Sequence, residues 1–234
     1  MRRRFIADEV SSHRAAVTGA HAAHLSRVLR ARIGQEFDIA LGENVRRGTI
    51  ISINDDRVDF ELGDAVEAHP EPSITLALAI FKFDRFEWAV EKCTELGVVQ
   101  IVPVIARRTD VHLAQSAAKR VDRWRRIARE ASEQSRRLAT PEIPDPIKLR
   151  DYLSSENSGK KILLSETEAG VQLRDLCDSD ISAALAIGPE GGWTPEELKL
   201  FSDFEWQSAS LGKTILRAET AAIAALSIMR ALNS

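Results

Sequence analysis

From residue 73 onward the chain alternates between two hydrophobic patterns. Short apolar runs of strand length are separated by stretches in which apolar residues recur three and four positions apart, as they do in amphipathic helices. The strand-like runs are "ITLALAIFK", "VQIVPVIA", "KILLSE", "AALAIG" and "EWQSASLG", and the helix-like ones include "FEWAVEKCTELG", "TPEELKLF" and "AETAAIAALSIMRALN". This alternation predicts an α/β fold whose mostly parallel sheet is covered by helices on both faces.

The region before residue 68 has a different pattern. "EFDIAL", "RGTIISI" and "RVDFEL" are short, rich in Ile, Val and Phe, and separated by turn-type residues, which predicts β-strands. One helical piece, "HLSRVLR", is expected to place Leu25, Val28 and Leu29 on one face. The proline-containing stretch "AHPEPS" at residues 68–73 separates the two patterns, so we predict a small β-barrel over residues 1–70 and an α/β domain over residues 71–234.

Composition narrows the class of protein only modestly. A formal net charge of -3 excludes a strongly basic or acidic chain, so any nucleic-acid surface must be a local patch. Two distant cysteines predict buried, unpaired thiols rather than a disulfide framework. No apolar run approaches the roughly 18 residues of a membrane span, and the first residues lack the apolar segment of a signal peptide, so a cytoplasmic location is expected. His21 and His24 have no further ligands near them in sequence, and we predict no metal site.

The most informative motif is "AIGPEGGW", residues 186–193, where a predicted strand ends in a glycine-rich turn. Thr194, Pro195 and Glu197 follow with the spacing of a helix capping box. Because ligands bind at the carboxyl ends of parallel strands, this turn, "LLSETE" and "LGKTILRAET" predict one shared site. Glu190 would repel a polyphosphate, and neither phosphate-loop fingerprint is present, so an uncharged or cationic ligand such as an adenosine sulfonium fits better. A plain strand-to-helix turn is the alternative.

These motifs resemble a known family. "IGPEGGWTPEE" and "LGKTILRAETAAIAAL", with "DRFEWAVEKCTELGV" and "RWRRIAREASEQSRRLATPEI" upstream, are similar to the SPOUT methyltransferases of the RsmE type, which methylate N3 of a uridine in 16S ribosomal RNA. The resemblance covers nearly the whole chain. It implies an amino-terminal PUA-like barrel, a SPOUT domain with a carboxyl-terminal trefoil knot, S-adenosylmethionine (SAM) as cofactor, and a homodimer acting on 16S rRNA or the small ribosomal subunit.

The resemblance also implies site residues. Arg217 is expected to stabilise negative charge on the uracil, and Glu219 or Glu190 to accept the proton, although Glu219 also suits the start of a helix electrostatically. Three positions depart from the family pattern: Phe83, Cys93 and Thr109. The residues expected to line the cofactor are Ser165, Glu166, Ile187, Gly188, Pro189, Glu190, Gly191, Gly192, Leu211, Gly212, Ile215, Leu216 and Arg217.

The basic residues between Lys119 and Arg137 suggest an RNA-binding surface. Val121, Trp124 and Ala128 form an apolar stripe that leaves most of the arginines outside, where a merely solvated face is the alternative. A non-catalytic rRNA-binding assembly factor is the competing function, while a phosphotransferase would lack its phosphate loop. The predicted RNA-binding residues are Arg3, Arg4, Arg27, Arg30, Arg108, Arg123, Arg126 and Arg136.

Overall fold

The computed structural model describes residues 3–42, 44–67, 73–156, 159–177 and 182–232. The chain folds as two units: the first combines Met1–Pro70 with Ser132–Thr140, and the second combines Glu71–Ala131 with Pro141–Ser234. The first unit therefore includes a segment from the middle of the chain, which a single boundary at residue 70 does not predict. Most of the predicted seam, residues 68–72, lies outside the described residues.

The first unit is built on a six-stranded mixed sheet. Its elements are β1 (Arg4–Ile6), β2 (Glu9–Val10), β3 (Arg14–Thr18), α1 (Gly19–Ala23), a π-helix (His24–Val28), β4 (Glu36–Ala40), β5 (Val45–Ile53) and β6 (Arg57–Val66). The strand order is β1-β4-β5-β6-β3-β2, in which only β1 and β4 are parallel neighbours. The strands predicted at "EFDIAL", "RGTIISI" and "RVDFEL" are confirmed. The rings of Phe5, Phe37 and Phe60 meet edge to face in the core of this unit.

The helical piece of this unit differs from the sequence prediction. Leu25 is fully buried but Val28 is 66% exposed, so the prediction that they share one face is wrong. The Leu29 amide donates to the carbonyl of His24, five residues earlier, at 2.9 Å. The wider π-helical turn rotates the following side chains away from the positions that a 3.6-residue repeat assigns to them.

The second unit contains a six-stranded sheet in which every neighbouring pair is parallel. Its order is β12-β10-β11-β7-β8-β9. The strands are β7 (Ser73–Ala79), β8 (Gln100–Ile105), β9 (Ile147–Lys148), β10 (Lys160–Leu164), β11 (Ser182–Ile187) and β12 (Gln207–Ala209). The helices are α2 (Phe83–Glu95), α3 (Val111–Ser116), a 3₁₀ turn (Ala117–Arg120), α4 (Val121–Gln134), α5 (Leu149–Ser155), α6 (Leu173–Leu176), α7 (Pro195–Asp203) and α8 (Ala218–Ala231).

Both faces of this parallel sheet are buried, which confirms the predicted α/β class. Leu76 and Leu78 of β7 lie in one hydrophobic cluster with Phe86 of α2. Ala77, between them in sequence, lies in a second cluster with Phe201 of α7. Successive side chains of a strand point to opposite faces, so helices must cover both sides.

The ends of two helices follow their sequence signals. Gly97, just after α2, has a φ of 95°, a left-handed conformation that glycine adopts without steric cost. At the start of α7, the Thr194 hydroxyl accepts from the Glu197 amide while the Glu197 carboxylate accepts from the Thr194 amide, which confirms the predicted capping box. Among the described helices, none is long and apolar enough to cross a membrane.

Candidate functional site

The three strand ends that the sequence singles out line one cavity of about 370 Å³. Strands β12, β10 and β11 are neighbours in the sheet, and because they are parallel their carboxyl ends lie at the same edge. The lining comes mainly from three segments, each of which contains the last residue of a strand and the residues after it: 164–167 at β10, 187–193 at β11 and 209–218 at β12. This volume lies within the range of small-molecule sites, roughly 300–1,000 Å³.

Glycines in the turn after β11 allow close packing around the cavity. A Cβ on Gly188 would approach the buried Trp193 ring to 3.1 Å, closer than side chains normally pack. Gly192 has a φ of 69°, and a Cβ there would meet Glu166 Oε1 at 2.9 Å. Gly191 faces Arg108, whose guanidinium donates to the Gly191 carbonyl. The glycines therefore serve both the shape of the turn and its contacts.

A second turn, residues 106–109 after β8, braces the glycine turn. The Thr109 hydroxyl accepts from the Ala106 amide at 3.1 Å and donates to the Ile80 carbonyl at 3.2 Å. The carboxylate of Glu197, which is buried, accepts from the Arg107 amide at 2.7 Å and from the Thr194 amide at 2.8 Å. Glu197 thus fixes the turn that carries Arg108 to the start of α7.

The segment after β12 forms the third side of the cavity. The Ser210 hydroxyl bonds to both the amide and the carbonyl of Gly212 at 3.1 Å, and Gly212 has a φ of 122°. Ile215 is 80% exposed although it is apolar and lines the cavity. Arg217 is the N-cap residue of α8, and its guanidinium has no hydrogen-bond partner within the described ranges. This segment presents an apolar side chain and an uncommitted cation to the cavity.

A charged cluster borders the same cavity. Arg85, in the first turn of α2, donates to Glu190 Oε1 at 2.7 Å. Its Nε lies 3.8 Å from Oε1 of Glu219, which is only 4% exposed. Glu219 Oε2 is buried without a hydrogen-bond partner in the described part of the chain. The Arg85 guanidinium therefore pairs with both Glu190 and Glu219, and the buried carboxylate of Glu219 is left with one oxygen that accepts no hydrogen bond from the described residues.

The predicted cofactor residues come together with one exception. All of them line the cavity except Gly191, which is exposed and contacts Arg108 instead. Of the three predicted catalytic residues, Arg217 and Glu190 line the cavity, whereas Glu219 is buried and contacts it only through Arg85. Sequence reasoning missed Arg85 altogether, because α2 follows β7 and no motif in the chain links "FKFDRF" to the glycine turn.

The predicted RNA-binding arginines divide between the two units. In the first unit, Arg4 donates to the Arg136 carbonyl and Arg27 lies 3.3 Å from Asp55. The basic run is not one uniform face, because Arg137 is buried. Arg125 contacts two aspartates and a backbone carbonyl. The second unit contains Arg108, Arg123 and Arg126, and the first contains Arg3, Arg4, Arg27, Arg30 and Arg136.

His21 and His24 were considered as metal ligands from the sequence. His21 Nδ1 lies 3.0 Å from Glu133 Oε2 in the first unit. Within the described ranges, no group of three His, Cys, Asp or Glu side chains is arranged to bind a metal ion.

Residues 69–230 match the family model of the RNA methyltransferase domain. The chain is also 33% identical to the ribosomal RNA small subunit methyltransferase E of Rickettsia conorii, over 92% of this chain and 88% of the relative. The chain belongs to the RNA methyltransferase family. This membership agrees with the resemblance carried by the glycine turn and "LGKTILRAET".

Two solved structures extend the similarity to the whole fold. The ribosomal RNA small subunit methyltransferase E of Neisseria gonorrhoeae, bound to SAM, is 31% identical with a TM-score of 0.87, covering 99% of this chain and 98% of that one. A Legionella pneumophila methyltransferase in complex with SAM is 30% identical with a TM-score of 0.86 and the same coverage.

The three departures from the family pattern each have a structural role here. Phe83 packs edge to face on Trp124 and lies beneath the Arg120 guanidinium. Cys93 is fully buried, and this burial raises the pKa of its thiol. Thr109 closes its turn through the hydroxyl, which a serine also carries. Cys177 is half-buried, so the expectation of two buried thiols holds only for Cys93.

Proposed function

We propose that this methyltransferase transfers the methyl group of SAM to N3 of a uridine in 16S ribosomal RNA. The observation that carries the proposal is the cavity at the ends of β10, β11 and β12, which combines the glycine turn with Arg217 in a chain of this family. Relatives with the same fold are named as small-subunit rRNA methyltransferases, and two solved ones contain SAM.

The residues around the cavity fit SAM chemically. Glycines at 188 and 192 leave backbone groups accessible, and Ile187, Leu211 and Leu216 supply apolar surface for a flat base. Glu190 is ion-paired with Arg85, so the turn carries little excess charge of either sign. We assign the cofactor-binding role to the lining residues predicted from the sequence, and to Gly191 through its contact with Arg108.

When bound, SAM supplies an electrophilic methyl group. The chain must then orient the uridine, remove the proton from N3 and stabilise the negative charge that spreads to the neighbouring carbonyl oxygens. Arg217 suits the last role, because its guanidinium lines the cavity and is uncommitted in the described structure. Glu190 lines the cavity and is the better-placed proton acceptor, directly or through a water. Glu219, buried against Arg85, is assigned the positioning of that arginine.

The finer features of the fold belong to the same proposal. We assign a PUA-like RNA-binding barrel to residues 1–70, supported by the mixed sheet, and a SPOUT domain to residues 71–234. A trefoil knot is supported by residues 171–173, which hydrogen-bond to Ser210 after β12. A homodimer is supported by exposed apolar side chains on α2 and at the end of α8, Trp88 and Leu232. A ribosomal substrate implies action in the cytoplasm.

Methylation assays with purified small subunits and with free 16S rRNA test the reaction, and mapping of modified bases in cells with and without the protein locates its target. Arg217→Ala is expected to lower methyl transfer at least a hundredfold while changing the SAM dissociation constant by less than about threefold, by analogy with loss of one transition-state donor. Arg174→Ala, at an exposed arginine outside the cavity, is the matched control. RNA binding without any methyl transfer by the unaltered protein would favour the assembly factor instead.

A further inference from the structure

Glu87 of α2 contacts two arginines from the segment between α3 and α4. Arg123 Nε donates to Glu87 Oε1 at 2.7 Å, and Arg120 Nη1 lies 3.8 Å from the same oxygen. The Glu87 side chain is 13% exposed, whereas those of Arg120 and Arg123 are 45% and 55% exposed. Glu87 thus pairs with both guanidinium groups, Glu130 also attracts that of Arg123, and both guanidinium groups still face solvent.

Phe83 fixes the orientation of the first of these arginines. The Arg120 guanidinium carbon lies 5.0 Å from the centre of the Phe83 ring, within the range of a cation–π contact. Phe83 in turn packs edge to face on Trp124, which is fully buried. A guanidinium that rests on a fixed ring loses less conformational freedom when it binds a ligand.

The cluster lies close to the cavity along the chain. Phe83 and Arg85 both belong to the first turn of α2, a turn that rises about 5.4 Å along the helix axis. Arg85 lines the cavity, while Phe83 supports Arg120. Their side chains leave the helix about 200° apart around its axis, so an RNA strand that reaches both the cavity and the two arginines would cross the start of α2.

We propose that Arg120 and Arg123, organised by Glu87 and Phe83, form a phosphate clamp for the RNA strand beside the target nucleotide. Guanidinium groups match phosphate oxygens with paired donors, and the donors of both arginines exceed what Glu87 uses. Phe83, one of the three positions that depart from the family pattern, supports the clamp through its contact with Arg120. This inference rests on the proposed function, because it concerns the RNA substrate of the same site.

RNA binding measured as a function of salt tests the clamp. The probe is a fluorescent fragment of 16S rRNA, with anisotropy read between about 50 and 300 mM KCl. The variants are Arg120→Ala, Arg123→Ala and the double variant. Arg125→Ala is the matched control, since it removes the same charge from α4 at an arginine already occupied by Asp122 and Asp145. SAM affinity by calorimetry reports whether the second unit remains folded.

Each lost phosphate contact lowers the slope of log affinity against log salt by roughly 0.7–0.9. The double variant is therefore expected to lower the slope by about 1.5 and to weaken binding at least tenfold at 100 mM KCl, with SAM affinity retained. Phe83→Leu is expected to weaken binding with little change in slope, because the contacts remain but are less organised. A double variant with the slope and affinity of Arg125→Ala would overturn the clamp. Failure of the unaltered protein to methylate rRNA would instead overturn the proposed function.

Discussion

Glu197 offers a sharp test of how the glycine turn is held. Its buried carboxylate accepts two backbone amides, from Arg107 at 2.7 Å and from Thr194 at 2.8 Å. A hydrogen bond to a charged group contributes roughly 1.5–3 kcal/mol, so Glu197→Ala is expected to cost about 3–6 kcal/mol. In a chain of this size 1 kcal/mol corresponds to about 2–4 °C in Tm, so the loss should be at least about 6 °C.

Glu196→Ala is the matched control, because this neighbour stands in the same first turn of α7 but is exposed. Its exposed carboxylate interacts with its own amide, the Thr194 hydroxyl and the helix dipole, and because water screens these interactions its loss should lower Tm much less than Glu197→Ala. Glu197→Gln keeps an oxygen acceptor for one amide and should fall between the two.

Tryptophan fluorescence is the appropriate signal for these melts. The chain has four tryptophans, at positions 88, 124, 193 and 206, and all of them belong to the second unit. The unfolding of that unit is therefore observed without interference from the first. Melting temperatures of Glu197→Ala and Glu196→Ala within about 2 °C of each other would refute the role given to Glu197.

Three further predictions concern the same unit. Gly192→Ala and Gly97→Ala both put a side chain at positive φ and should each lower the free energy of unfolding by about 1–2 kcal/mol. Only Gly192→Ala, whose Cβ meets Glu166, should weaken SAM binding in calorimetry, and equal SAM affinities of the two variants would contradict this. Hydrogen bonds from the Gly170 and Val171 amides lower the pKa of Glu168, so the stability they add is present above pH 4.5 and lost as pH falls through the lowered value. The free energy of unfolding should therefore fall more steeply below pH 4.5 in the unaltered protein than in Glu168→Gln, and parallel pH profiles of stability would exclude it. In thiol labelling of the native protein, Cys177 should react and the fully buried Cys93 should not. Labelling of both thiols at the same rate would show that Cys93 is not buried.

The sequence predicted the second unit far better than the first. Its strands are continuous apolar runs and its helices carry strong end signals, such as Thr194 with Glu197 and Gly97 after α2, so local pattern and fold agree. In the first unit, Val28 was assigned by a regular helical repeat that a π-helix does not obey. The inclusion of residues 132–140 in that unit depends on contacts distant in sequence, for which periodicity carries no signal.

The candidate site shows the same limit. The loops after β10, β11 and β12 were predictable because parallel neighbouring strands bring their ends to one edge, a rule that needs no side-chain detail. Arg85 was not predictable, because its contact with Glu190 joins positions 105 residues apart. The two roles open to Glu219 also could not be separated by sequence, since both place a carboxylate in the first turn of α8; its burial and its contact with Arg85 are features of the fold that the sequence pattern does not contain.

Arg85 also changes the argument about the acid in the glycine turn. From the sequence, Glu190 alone opposed a polyphosphate by its negative charge. In the structure Arg85 pairs with that carboxylate, so simple repulsion no longer decides the matter. The decisive quantity is the whole set of charges: Arg85, Lys213 and Arg217 line the cavity with Glu166 and Glu190, and Glu219 contacts Arg85 from its buried position. Three cations against three carboxylates leave no surplus positive charge for a polyphosphate, whereas a ligand such as SAM, with a sulfonium, an ammonium and a carboxylate, meets both signs.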